Sequence, residues 1–180
     1  MLVRFRMLEY AVDKLPDLPG FDQWLRIRPA EWKQIEYLIH VSLPFAAYTQ
    51  SIGATTTPTI QSVYKVYNIL LAHCEECLAK LNQKGTPWEL ALRDGIKAAQ
   101  RKLNQYYGDT YGTIGHLYGH AVLLDPANKD MFFETEEWAV DSDCNKNKEP
   151  QEPWYDVYWA SLRAAWNRKY ATRKDTRATD

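Results

Sequence analysis

The chain has 180 residues, 46% of them hydrophobic and 25% charged, which is enough for one domain with its own core and is ordinary for a soluble protein. The formal net charge of −1 excludes a chain that is drawn to nucleic acid by its overall charge. Three cysteines, no membrane-length apolar run and no signal-peptide pattern predict an intracellular protein without a membrane partner.

Two helices are predicted in the first third of the chain. Apolar side chains recur at helical spacing over residues 1–15, and the proline and glycine residues at 16–20 end that pattern. A second helix is predicted from Pro29 to about Ile52, with a kink at Pro44 because a proline ring meets the carbonyl one turn back. The side chains expected on its shared apolar face are Trp32, Ile35, Ile39 and Leu43.

The longest predicted helix covers residues 57–85. Thr57 is its expected N-cap, Pro58 lies in its first turn, and Gly85 ends it in the left-handed conformation. A helix of this length needs partners along its apolar face, so we expect it to be the central helix of the fold. That face comprises Ile60, Val63, Tyr67, Leu70, Cys74, Cys77 and Leu81, which alternate steps of three and four.

Two more helices are predicted at residues 88–108 and 113–124. Thr86 and Pro87 place the same cap-and-proline signal before the first of them. The second is apolar enough to be read as a strand or a helix, and its three-and-four spacing favours a helix. Asp125 then opens a short helix, whose anchors are Phe132, Phe133 and Trp138.

The last helix is predicted over residues 154–173, after a polar loop at 141–153. The whole pattern predicts an all-α fold, an irregular array of about six or seven helices with one long central helix. We expect a single domain over residues 1–173 and a frayed tail at 174–180. The inward-facing side chains of the last helix are predicted to be Val157, Tyr158, Leu162, Ala165, Trp166 and Tyr170.

Cys74 and Cys77 form a C-x-x-C motif with His73 beside it, which is the spacing of half a zinc site or of a redox pair. The remaining cysteine, Cys144, lies in the polar loop and provides no second pair. Both motif cysteines fall on the apolar face of the long helix, where free cysteine behaves as a small hydrophobe. Core packing is therefore favoured, and a metal site is the alternative.

His116 and His120 are four residues apart, so a helix presents both on one side, as in helical metal pairs. Leu117 follows His116 where the zinc-protease motif has glutamate, so hydrogen-bonded histidines are favoured. The alternative is a small helical metal-binding protein or metalloenzyme that uses the two histidines. Its carboxylate ligands would come from Glu134, Glu136 and Glu137.

An acidic group flanks the polar loop and comprises Glu134, Glu136, Glu137, Asp141 and Asp143. Two-metal sites draw their carboxylates from separate, rigid elements, so a solvated surface is the favoured interpretation. The chain also has no glycine-rich phosphate loop, no G-x-S-x-G motif and no Cys/His nucleophile arrangement. The residues therefore predict no catalytic centre and no cofactor.

The end of the last helix is basic, although the whole chain is not. Cations clustered in this way can contact a phosphate backbone. The alternative is that they complement the negative end of the helix dipole. The DNA-contact candidates are Arg163, Arg168, Lys169, Arg173 and Lys174.

Several segments, taken in order, resemble one family. Thr-Pro-Thr-Ile at 57–60, leading into Val-Tyr-Lys-Val-Tyr-Asn-Ile-Leu-Leu at 63–71, is similar to the P-T-I…V-x-x-V-Y-x-x-L-L segment of hAT (hobo–Activator type) transposases. Lys-Leu and Tyr-Tyr within 102–107 resemble their K-L-x-x-Y-Y. Residues 118–129, followed by Phe132, resemble their Y-A-x-A-x-x-L-D-P-x-x-K-x-x-F signature.

The resemblance implies the helical domain that this family inserts into its RNase H-like core, before the last catalytic glutamate. The Asp-Asp-Glu site that would bind Mg or Mn, the BED-type zinc finger and the dimerisation segment have no counterpart here, so the chain is expected to be inactive alone. The implied partners are DNA, namely transposon ends, and other transposase domains or subunits, and the implied location is the nucleus. Gly119 departs from the family pattern, which usually has alanine there, and residues 127–128 replace a basic–aromatic pair.

Overall fold

The computed structural model describes residues 1–21, 26–53, 56–82, 84–111, 115–127, 129–134 and 153–170. Within these ranges the protein is all-α, as predicted, with seven α-helices, several 3₁₀ turns and no β-strand. No helix in the same ranges has both the length and the hydropathy that a bilayer span requires. The helices are α1 (Leu2–Met7), α2 (Glu9–Lys14), α3 (Pro29–Ile52), α4 (Val63–Leu81), α5 (Pro87–Gly108), α6 (Gly115–Leu124) and α7 (Trp154–Tyr170).

The predicted first helix is two helices. The backbone of Leu8 (φ −94°, ψ 10°) leaves the α-helical region and separates α1 from α2. Both short helices are fixed to α3 through the buried Trp32, whose ring centroid lies 5.3 Å from that of Phe5. The indole N–H of Trp32 donates to Asp13 Oδ1 at 3.1 Å, which satisfies the polar atom that burial would otherwise leave unpaired.

Helix α3 has the predicted bounds and includes Pro44, but part of its predicted buried face is wrong. Leu43 is 53% exposed, whereas Tyr37, Val41 and Phe45 pack against a buried cluster. Apolar residues occur on more than one side of α3, so helical periodicity alone could not decide which side is buried. The kink at Pro44 stays a prediction.

Helix α4 is shorter at both ends than predicted. A 3₁₀ turn at Ile60–Ser62 precedes it, so Thr57 and Pro58 do not begin the helix. At the other end Lys84 N–H donates to Leu81 O at 3.1 Å, and the positive-φ glycine of the described residues is Gly20, not Gly85. The predicted apolar face is confirmed for Leu70, Cys74, Cys77 and Leu81, all buried.

Helices α5, α6 and α7 lie where the sequence predicted helices. The short helix expected after Asp125 is a 3₁₀ helix at Lys129–Glu134, and Asp125 Oδ1 accepts from Ala127 N–H at 3.0 Å. Its predicted anchor Phe133 is buried, at 7% exposure. Trp138 and the polar loop at 141–152 lie outside the described residues.

The chain divides into two compact units. Unit 1 comprises Met1–Gly53 and Asn68–Leu103, and unit 2 comprises Ala54–Tyr67 and Asn104–Asp180. The expectation of one domain over residues 1–173 stays a prediction, as does the frayed tail, which lies outside the described ranges. The core of unit 1 contains Cys74, Cys77, Leu81 and Ile96, and that of unit 2 contains Tyr64, Val122, Phe133 and Tyr158.

Candidate nucleic-acid interface

Helix α7 is positioned by Tyr158, which is completely buried in the core of unit 2. Its hydroxyl lies 3.0 Å from that of Tyr64, also completely buried, so each polar atom has a hydrogen-bonding partner inside the core. The ring of Trp154 stacks on Tyr158 with 5.6 Å between centroids. This anchorage fixes the rotation of α7 and thereby determines which side chains point outward.

The outward face of α7 carries a stripe of aromatic and basic side chains, the α7 stripe, formed by Trp159, Arg163, Trp166 and Tyr170. These residues follow one another at steps of four, three and four, so they lie on one side of the helix. All four are exposed, with Trp166 at 61%. Large aromatic side chains are seldom left in water at this density without a binding role.

The α7 stripe forms half of the lining of a groove, the α7 groove, with a volume of about 450 Å³. The rings of Trp166 and Tyr170 lie 4.5 Å apart and make one aromatic platform. Two cations stand over aromatic faces: Arg163 lies 5.8 Å from the ring of Trp159, and Lys169 lies 5.5 Å from that of Tyr170. The lining residues are Leu124, Trp159, Leu162, Arg163, Ala165, Trp166, Lys169 and Tyr170.

The five predicted DNA-contact residues fall into three groups. Arg163 and Lys169 line the α7 groove. Arg168 is two residues from Trp166, about 200° around the helix, and therefore lies on the opposite side of α7. The candidates Arg173 and Lys174 lie outside the described residues.

The groove has a positive character that the whole chain lacks. Helix α7 carries three basic residues and a single acid, Asp156. Within the described ranges, no ion pair joins Arg163, Arg168 or Lys169 to a carboxylate. Arg168 and Lys169 lie in the last turn of α7, where the helix dipole favours cations.

The aromatic half of this surface was missed by the sequence reasoning. Trp166 and Tyr170 were predicted to face inward, and this is wrong because Trp166 is 61% and Tyr170 37% exposed. Trp159 was not assigned to either face. The available signal was the spacing of the two tryptophans around Arg163, which gives a basic–aromatic stripe beside the apolar one.

His116 and His120 lie on one side of α6, as their spacing predicted, and both meet α7. His116 Nδ1 is 2.8 Å and His120 Nε2 is 3.1 Å from Ser161 Oγ. Burial, and to a smaller degree the charge of His116, lowers the pKa of His120. Hydrogen bonding to one hydroxyl accounts for both rings, and the alternative of a metal site at this pair stays a prediction.

The described residues provide no carboxylate cluster at which a two-metal mechanism could be derived. The single group of three metal-ligating side chains that they contain is made of histidine and cysteine, and it lies in unit 1. Of the acids considered in the sequence, Glu136, Glu137, Asp141 and Asp143 lie outside the described residues, and so does the side chain of Glu134. The arrangement on α7 can bind and stack, and no bond-breaking chemistry follows from it.

No protein-family model matches the chain, and no solved structure matches it. Over 138 residues it is 32% identical to a protein of Talaromyces stipitatus described as "Putative transcriptional regulator tpeD". The match includes 77% of this chain but only 14% of that protein. The chain is therefore similar to one segment of a much longer protein.

Proposed function

We propose that the protein is a non-catalytic DNA-binding module whose contact surface is the α7 groove. One observation carries this proposal: an exposed aromatic platform, formed by Trp166 and Tyr170, lies beside Arg163 and Lys169 on one helix face. Bases stack on such platforms without regard to sequence, and each stacked base contributes about 1–3 kcal/mol. The neighbouring cations reach the phosphates and set the salt dependence of binding.

The chemistry of the groove favours DNA that offers both unpaired bases and phosphates. A continuous duplex hides the faces of its bases, whereas a hairpin end or a flanking single strand leaves them open to an aromatic platform. Because the formal net charge is −1, affinity must come from this local surface and not from long-range attraction. A hairpin with a single-stranded extension is therefore the preferred probe.

We further propose that the module derives from the helical insertion domain of a hAT-type transposase. Its support is the order of the sequence segments within 57–132 that resemble that family. Similarity to a protein described as a transcriptional regulator supports a regulatory role on DNA and a nuclear location. Transposon ends and other transposase domains or subunits remain the proposed partners, and no cofactor is required for binding.

The lineage has a test that is independent of DNA binding. Genomic DNA on both sides of the coding region should encode RNase H-like strands, intact or decayed, that carry the missing acidic residues. Flanking sequence that encodes an unrelated protein in the same frame would refute the transposase origin and leave the binding proposal untouched.

The binding proposal is tested by fluorescence anisotropy with a labelled DNA hairpin over a series of salt concentrations. We expect Trp166→Ala to weaken binding by about 5- to 150-fold, which corresponds to the loss of one stacked base. The double variant R163A/K169A should flatten the slope of log affinity against log salt by about 2. Both changes alter exposed side chains, so the fold should survive them.

Arg168→Ala is the control, since it removes one positive charge, as each of the two substitutions in R163A/K169A does, but from the opposite side of α7, and it should leave the affinity close to that of the unmodified protein. Circular dichroism and thermal unfolding should be unchanged in all variants. Absence of binding at low salt, or an equal loss in R168A and R163A/K169A, would refute the proposed surface.

A further inference from the structure

Three metal-ligating side chains meet in unit 1, far along the sequence from the α7 groove. His40 comes from α3, and His73 and Cys77 come from α4. One ligand atom from each lies within 4.8 Å of the other two. The C-x-x-C motif contains Cys74 and Cys77, whereas His40 lies 33 residues before His73 and is brought near His73 and Cys77 by the fold.

One of the three ligand-atom distances matches a tetrahedral zinc site, and the other two lie within 4.8 Å. His73 and Cys77 are one helical turn apart, and Cys77 Sγ lies 3.6 Å from His73 Nε2. A tetrahedral zinc ion with bonds of about 2.3 Å to sulfur and about 2.05 Å to nitrogen separates those two atoms by about 3.6 Å. The rings of His40 and His73 are 5.4 Å apart at a steep angle, which allows one nitrogen from each to point at a shared centre.

We propose that His40, His73 and Cys77 bind one zinc-type divalent cation, a function separate from DNA binding. Two imidazoles and one thiolate are the ligands that zinc prefers, and magnesium or calcium would require oxygen donors. Three protein ligands leave a fourth position, and His40 is exposed, so solvent or an outside ligand can reach the metal there.

The elements that hold these ligands are already packed together. Cys77 is 4% exposed in the core of unit 1, and Tyr37 and Val41 of α3 pack against that same core. The ligand atoms therefore already lie within 4.8 Å of one another, and an ion that drew them to coordination distance would tie α3 to α4. Cys74 is equally buried, but it does not belong to the group of three.

The test uses the full chain with Cys144 replaced by serine, so that the third cysteine adds no signal. Metal-free protein is titrated with Co²⁺ and followed by the thiolate-to-cobalt charge-transfer band in the near ultraviolet, and zinc then displaces the cobalt. We expect one ion per chain and a thermal unfolding midpoint that rises on addition of zinc.

His40→Ala is the critical variant, since His40 is exposed and its removal should leave the fold intact. It should lower the affinity for the metal ion by more than about tenfold, because even residues that only orient a metal ligand change that affinity by about 10- to 100-fold. Cys77→Ser should abolish the charge-transfer band. Cys74→Ser is the matched control, as a buried cysteine on the same helix face, and should retain the band.

Absence of a cobalt band in the parent protein, or affinity unaltered by H40A, would overturn the site. Loss of the band in C74S with a normal thermal unfolding profile would assign both motif cysteines to the metal and would equally refute the three-ligand site. DNA binding of the metal-free protein is measured in parallel, so failure here leaves the α7 proposal standing.

Discussion

Gly119 packs against Tyr158 so closely that no larger residue fits. A Cβ built on Gly119 would lie less than 3.0 Å from three ring carbons of Tyr158. Tyr158 cannot retreat easily, since it is fully buried and its hydroxyl is placed against that of Tyr64. This contact gives a physical reason for a glycine at this position of α6.

We therefore expect Gly119→Ala to destabilise the protein. Alanine gains about 1 kcal/mol of helix propensity over glycine, but overpacking of a well-filled core costs about 1–3 kcal/mol. Gly95→Ala is the matched control on α5. A Cβ there meets nothing within 4 Å, so the gain in helix propensity is not offset by overpacking. Urea unfolding should lower the midpoint for G119A and raise it for G95A. Equal stabilisation by both variants would contradict the packing argument.

His120 makes stability depend on pH in a definite direction. Burial lowers its pKa in the folded state, so the unfolded chain binds the proton more readily. The stabilising contribution is complete above the ordinary histidine pKa of about 6.5 and is lost as the pH falls through the lowered folded value.

We expect the urea midpoint to fall between about pH 7 and about pH 5, and His120→Gln to reduce that fall. Glutamine keeps a polar group near Ser161 and does not titrate. The difference between the two pH profiles then reports the contribution of His120 together with its interaction with His116. Identical profiles would show that His120 has no part in the pH dependence.

The residue-level predictions succeeded where the information was local. Spacing along one helix was enough to place His116 and His120 on the same side and to bury Cys74 and Cys77. It could not supply Ser161, which is 41 residues from His120, or bring His40 to the cysteine motif. Those partners come from other helices, and the periodicity of one helix does not predict which residues of another helix it will contact.

Among the helices, the Thr-Pro pair predicts the start of α5 correctly but not the start of α4. Before α5, the backbone N–H and the hydroxyl of Thr86 both donate to Glu89 Oε2, at 3.1 and 2.6 Å, and the helix begins at Pro87. Three residues after Thr57 the chain has Ile60, whose side chain cannot accept a hydrogen bond, and the helix does not begin there. The reciprocal acidic residue, and not the Thr-Pro pair, separates the two cases.

The α5 cap can be tested with one matched pair of substitutions. Thr86→Ala removes the hydroxyl that donates to Glu89 Oε2 and should lower the free energy of unfolding by about 1 kcal/mol, as is typical for one lost hydrogen bond. Thr57→Ala, at an exposed position that caps no helix, should stay within about 0.5 kcal/mol of the unmodified protein. Chemical denaturation measures both. A comparable loss in the two variants would mean that the threonines act through something other than capping.

At the scale of the whole molecule, the sequence predicted the helices and their order but not the division into two units. Helix positions follow from periodicity and breakers, which are local. The division depends on contacts between distant segments, such as residues 54–67 with residues beyond 104. The DNA and metal experiments each address one of the two units.

The pairing of Tyr64 with Tyr158 joins residues that are 94 positions apart. During synthesis, the ring of Tyr64 leaves the ribosome long before the helix that will cover it. Until α7 covers it, the apolar surface around Tyr64 is exposed. Nascent chains with exposed apolar surface bind chaperones or aggregate. Slowing translation before α7 has left the ribosome should therefore lower the soluble yield, whereas a pause after α7 has emerged should not.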